Sequence, residues 1–251
     1  MALALSEPLV FLSLIISDIF GGNVILTIFI IIAVLLATLF VAERFIPNIV
    51  TRIEEGTIAA LLASITLITF IQVILRYGFH TGIDGALEIT TVLFAWLILF
   101  GMSYAVKINS HLGVDAFINL LPPKIFKVVA IFGALMGLLY AVLLIYSDWL
   151  QFFGVNAKGG AMHYWSKMFA IGIGMEDIRY PQWAQEVFGL QERMHRWVAY
   201  LILPTGLAMF GYRCLEAAIE IAQGKRKLVI ASHEAEQLVD DNKDTLSKLA
   251  D

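Results

Sequence analysis

The chain has 251 residues, of which 59% are hydrophobic and only 15% charged, against roughly 25% charged in soluble domains; its mean hydropathy is +0.81. This composition excludes an ordinary soluble fold and points to several apolar spans joined by short connections. A net charge of −4 argues against a nucleic-acid partner, and the single cysteine, Cys214, excludes both an internal disulfide and a cysteine-based metal cluster.

In chain order, residues 1–10 carry no Lys or Arg and so lack the basic n-region of a cleaved signal peptide. A bilayer core of about 30 Å requires about 20 apolar residues. Residues 9–20 are apolar but short, closed by Asp18 and Gly21-Gly22. They place an interfacial helix within 1–22, with a tilted extra span as the rival reading. Residues 23–42 hold no ionisable group and make a first full span. A second covers 56–75 between Glu55 and Arg76, a third 89–106 between Glu88 and Lys107, and a fourth 128–147 between Lys127 and Asp148. A fifth, 197–212, is shorter, lies between Arg196 and Arg213, and can run on through 214–222. Pro204 within it predicts a kink, which membrane helices tolerate. The runs are too long and continuous for the alternating strands of a barrel.

The expected fold is therefore an all-α integral membrane bundle of five transmembrane helices. The expected division is an interfacial helix at 1–22, an added span at 23–42, a four-span core at 54–223 and a charged tail at 224–251. The core includes a long connection at 149–196. Arg44, Arg52, Lys107, Lys124, Lys127, Arg213 and the run Lys225-Arg226-Lys227 mark the cytoplasmic side by the positive-inside rule. Five spans then place the N-terminus in the periplasm and the C-terminus in the cytoplasm.

None of the five spans carries Asp, Glu, Lys, Arg or His in its apolar interior. Ionisable residues within the membrane mark ion paths and charged-substrate sites, so their lack disfavours a self-contained ion-coupled carrier. His80, His111, His163, His195 and His233 all lie in connections or the tail, which leaves no axial ligands for haem within the spans. No GxSxG, HExxH or P-loop pattern is present. The chain thus reads as a non-enzyme without cofactor, substrate site or metal site, whose role is contact. Gly133 and Gly137 form a GxxxG pair in the fourth span that permits close helix approach. Thr66, Thr69 and Gln72 in the second span can hydrogen-bond to neighbouring helices.

The segment from Glu54 to Pro122 carries an ordered pattern. It runs through Glu54-Glu55, Gln72-Val73-Ile74-Leu75-Arg76-Tyr77, Glu88, Leu93-Phe94-Ala95-Trp96 and Gly101, and closes with His111, Asp115 and Asn119-Leu120-Leu121-Pro122. This resembles the small, DctQ-like membrane subunit of tripartite ATP-independent periplasmic (TRAP) transporters. The likeness covers the four spans from Glu54 onward and is strongest from Gln72 to Pro122. The added first span and the long 149–196 connection depart from the family pattern. The resemblance implies a non-catalytic subunit in the bacterial inner membrane, surrounded by membrane lipid. Its implied partners are a large multi-span subunit that holds the substrate and sodium sites, and a periplasmic substrate-binding protein. It also implies organic-acid cargo, C4-dicarboxylates first. The runner-up from another class is the membrane anchor of a respiratory or other enzyme complex.

Among the matched residues, Glu55, Arg76, Glu88, Trp96, Gly101, His111 and Asp115 are candidate structural or interface positions. Arg76 and Glu88 flank one connection and can pair or act as separate anchors. His111 and Asp115, four apart, share a helix face. Trp96 is mid-span, so its indole N–H requires a partner. The 149–196 connection is dense in aromatics, as expected of a segment on the membrane interface. Residues 177–181 read as a turn before a short helix over 182–188. Trp165, Arg179, Tyr180 and Trp183 are candidates for docking the binding protein.

Overall fold

A computed structural model describes residues 24–108, 123–157 and 159–224. The expected helix at 1–22, the pair His111 and Asp115, and all of the tail after Gly224 lie outside the described residues. Helix α1 is Val24–Phe45 and α2 is Pro47–Gly78, followed by α3, Ala86–Lys107, and α4, Pro123–Ile145. The 149–196 connection folds into a 3₁₀ turn, Asp148–Phe153, helix α5, Ala161–Ile171, strand β1, Gly174–Arg179, helix α6, Gln182–Phe188, and strand β2, Arg193–His195. Helices α7, Arg196–Tyr200, and α8, Ile202–Gln223, complete the order.

Among the described residues, five helical stretches are long and apolar enough to cross a membrane: Ile28–Phe45, Pro47–Gly78, Ala86–Lys107, Lys127–Ile145 and Arg196–Gln223. The chain is an all-α integral membrane protein with one small antiparallel hairpin, β1–β2. The hairpin was not expected from the sequence. Its first strand, Gly-Met-Glu-Asp-Ile-Arg, buries Met175 alone and lacks the period-two alternation that signals a strand.

One boundary also differs from the sequence reading. The charged stretch after the first span is not a loop, because Ile46 alone separates α1 from α2. Pro47 takes the first helical position, where its missing N–H costs nothing and its φ suits a helix. Arg52, Glu54 and Glu55 therefore ride on the first turns of α2. The 32 residues of α2 rise about 48 Å at 1.5 Å each and overshoot the hydrocarbon core at one or both ends. The fifth span is interrupted, as Pro204 predicts, at Leu201 between α7 and α8, a residue that keeps helical dihedrals of φ −56° and ψ −27°. Pro204 supplies the reason: it has no N–H to offer the Tyr200 carbonyl, and its ring crowds that carbonyl.

The chain divides into two compact units, residues 1–101 with 141–209 and residues 102–140 with 210–251. In the first, the buried core joins Ile28 and Ile32 of α1, Met162 and Trp165 of α5, and Ala208 of α8. Ile145, Tyr146, Phe169, Trp197 and Tyr200 pack around it. In the second, α8 buries Cys214, Ala217, Ala218 and Ile221, and the Lys127 ammonium donates to the Ala222 carbonyl at 2.9 Å. Helix α2 buries no residue within the chain.

Candidate interaction site: a carboxylate-clamped hairpin

Glu88 lies in the first turn of α3, and its carboxylate accepts three successive backbone N–H groups of β1. Glu176 donates at 3.0 Å, Asp177 at 2.8 Å and Ile178 at 3.1 Å. Backbone donors on a strand edge that lack a ladder partner require another acceptor, and Glu88 supplies it from 88 residues away. The turn before α3 is shaped for the approach. Gly85 has φ +74°, and a Cβ there would stand 3.2 Å from the Asp177 Cβ, so the strand backbone passes directly over this glycine. Arg196, at the head of α7, reaches Glu176 at 3.6 Å.

The hairpin is closed by side chains as well. Tyr180 N–H donates to the Glu192 carbonyl at 3.0 Å, and the Arg179 guanidinium pairs with the Glu192 carboxylate. His195 N–H donates to the Tyr180 hydroxyl at 3.3 Å. Arg179, Glu192 and Glu176 are exposed, so the hairpin presents a charged rim. Helix α6 occupies the predicted 182–188, bounded by Pro181 and by Gly189 at φ 60°. Trp183 and Val187 are exposed on it, and Ala184 is buried.

The remaining motif residues take up different surroundings. Trp96 donates its indole N–H to the Ala199 carbonyl at 3.0 Å, bonding α3 to α7 just ahead of the helix break. Gln72 accepts the Ile83 N–H at 2.8 Å and so holds the α2–α3 connection down against α2. Thr66 and Thr69, in contrast to the cross-helix bonds the sequence allowed, donate to the Leu62 and Ile65 carbonyls of their own helix. Arg76 is exposed on the last turn of α2, and Glu88 gives its carboxylate to the hairpin rather than to it. Glu55 is exposed on α2, and Gly101 has open space where a Cβ would stand. A Cβ at Gly137 would meet the Cys214 sulfur at 2.9 Å, whereas Gly133 meets nothing within 4 Å. The close helix approach therefore uses one glycine of the pair.

Trp165 is buried, with its indole N–H on the Trp197 carbonyl at 2.9 Å and its ring stacked on Phe169 at 5.2 Å. It holds the fold and has no surface to offer a docking partner. Gly85, Gly160 and Asp148 were missed by sequence reasoning. A Cβ at Gly160 would lie 2.7 Å from the Ile145 carbonyl oxygen, and Asp148 accepts the Gly159 N–H at 2.7 Å. The Asp84-Gly85 dipeptide was a legible turn signal; for the other two the signal lies in the tertiary approach.

The family model described as "Tripartite ATP-independent periplasmic transporters, DctQ component" matches residues 65–178, a stretch that holds Glu88 and β1 up to Ile178. The chain is 34% identical over 204 residues to a C4-dicarboxylate TRAP transporter small permease protein of Vibrio cholerae, covering 78% of this chain and 82% of that protein. It belongs to the DctQ family. A namesake small permease protein from Pseudomonas aeruginosa is 30% identical over 204 residues, 70% of this chain and 85% of that one. A sialic acid TRAP transporter permease protein of Haemophilus influenzae is 28% identical over 120 residues, 46% of this chain but 20% of that much longer one. No solved structure gives a significant match. Within this DctQ chain, residues 65–178 thus take in α3 and the strand its Glu88 clamps.

Proposed function

We propose that this DctQ-family chain scaffolds a large multi-span subunit in a bacterial inner membrane during sodium-driven uptake of an organic acid, with C4-dicarboxylates the first cargo to test. The observation that carries this reading is the 34% identity across 82% of the V. cholerae small permease protein. The partnership is supported by the H. influenzae permease, in which the similar region occupies only 20% of one polypeptide; there the same module is joined covalently to a far longer chain. Away from their ends the four spans before Arg196 hold no ionisable side chain, and the buried Arg213 of the last span is paired with Glu216 at 3.0 Å within the chain, which suits a subunit that leaves ions and anions to its partner. Helix α2, which buries no residue within the chain and carries no charged side chain from Gly56 to Leu75, offers a face for one.

In this reading the N-terminus is periplasmic, the C-terminus cytoplasmic, and the clamped hairpin faces the periplasm. Its charged rim, with Arg179 and Glu192 beside Tyr180, then forms part of the surface on which the soluble binding protein docks. Charged rims set orientation and association rate more than affinity. The test is reconstitution in liposomes under a sodium gradient with a radiolabelled C4-dicarboxylate. This chain alone gives no uptake, the chain with the large subunit and binding protein gives uptake, and omission of the chain abolishes it. Uptake by this chain alone, or full uptake without it, refutes the proposal.

A further inference from the structure

The long connection is tied to the ends of membrane helices at four points. Met162 and Trp165 of α5 pack on Ile28 and Ile32, the opening turns of the span Ile28–Phe45. Gly160 rests on the carbonyl of Ile145, where the span Lys127–Ile145 ends. Glu88, in the first turn of the span Ala86–Lys107, holds β1 by three hydrogen bonds. Strand β2 runs directly into Arg196, where the last span begins. A segment fastened in this way cannot rise into solvent as a separate domain. It is held at the ends of the spans.

Several of its large apolar side chains are exposed. Phe152 and Phe153, which close the 3₁₀ turn three residues beyond the α4 span, are 91% and 74% exposed; Trp183 and Val187, four apart on α6, are 65% and 70% exposed. The charged groups Glu176, Arg179 and Glu192 sit on the hairpin, while Lys167 on α5 and Glu186 on α6 are also exposed. Aromatic side chains at the ends of membrane spans settle in the headgroup region, and short helices with one apolar face lie along it. We propose that the 148–189 segment is a membrane-interface anchor, with Phe152, Phe153, Trp183 and Val187 inserted into the lipid leaflet at that end. The charged hairpin rim is left in water. The occupant is lipid rather than a protein because the segment that carries these residues is fastened to the ends of four apolar spans. This inference rests on membrane integration alone and stands whether or not the transport reading does.

The test uses the full chain reconstituted in phosphatidylethanolamine–phosphatidylglycerol vesicles. Nitroxides are attached to Phe153→Cys, Trp183→Cys and Val187→Cys, with Arg179→Cys as the water-facing comparison, all in a Cys214→Ala background. Collisional access to oxygen and to a water-soluble nickel complex is measured for each. The expected result is a several-fold higher oxygen-to-nickel ratio at 153, 183 and 187 than at 179. Nickel access equal to that at 179 overturns the proposal. Low access to both relaxants, or immobilisation on adding the binding protein, means that protein covers the face and overturns it too. If a labelled variant fails to assemble, quenching by brominated lipid decides: it falls in Trp183→Phe relative to the unsubstituted protein if Trp183 is in the leaflet, and is unchanged if it is not.

Discussion

Removing the Glu88 carboxylate is the most direct test of the clamped hairpin. A hydrogen bond to a charged group contributes about 1.5–3 kcal/mol when shielded from water. The bond from Ile178 is partly buried and those from Glu176 and Asp177 are exposed, which discounts the latter two toward about 0.5 kcal/mol each. Together the three hold β1 by about 2.5 kcal/mol, a factor of roughly 60 in local opening at 1.4 kcal/mol per tenfold. In Glu88→Ala the amides of Glu176, Asp177 and Ile178 then exchange with deuterium roughly 60-fold faster, while amides in α4 keep their rates. Glu88→Gln retains one acceptor oxygen without the charge and loses about half of this free energy. Native-state hydrogen exchange with mass spectrometry on detergent-solubilised protein reads both. Unchanged exchange at 176–178 in Glu88→Ala refutes the clamp, and so does an equal acceleration across all helices, which would mean general unfolding.

Three other substitutions probe the packing. Gly137→Ala drives a methyl against the Cys214 sulfur and lowers stability by about 1–3 kcal/mol, read as a lower Tm in detergent; Gly133→Ala does not, and Cys214→Ala restores most of the loss. Trp96→Phe removes the donor to the Ala199 carbonyl at a cost of about 1 kcal/mol, measured by denaturant midpoint, with Phe100 still beside the ring at about 6 Å. Gly160→Ala combines φ +117° with a 2.7 Å approach to a carbonyl oxygen, a backbone region open almost only to glycine. It is expected to cost more than about 2 kcal/mol and to expose Trp165, seen as a red shift of tryptophan emission; an unshifted spectrum at full stability contradicts that packing.

Much of the fold was legible because a bilayer leaves few choices. An uninterrupted apolar stretch of about 20 residues must satisfy its own backbone, so it becomes a helix. The charged residues that bracket 89–106 and 128–147 marked ends that the structure moves by a few residues. The short helix at 182–188 was equally legible, since Pro181 starts it and Gly189 stops it. Local chemistry also showed that Trp96 required a partner, and the ordered motif from Gln72 to Pro122 was enough to indicate the family.

Which groups would meet was decided only by tertiary structure. Glu88 could have paired with Arg76, its neighbour across one connection; it binds instead three amides about 90 residues later. An ion pair at a membrane edge contributes little, whereas a strand edge without an acceptor is costly. Trp165 and Trp183 are the same residue type in one aromatic-rich connection, yet one is core and the other surface. Composition and spacing determined that this chain lies in a membrane and where it crosses. The long-range approach of α5, β1 and α7 to the span ends determined which side chains are left to meet lipid and partner, because burial is a property of the folded neighbours and not of the residue.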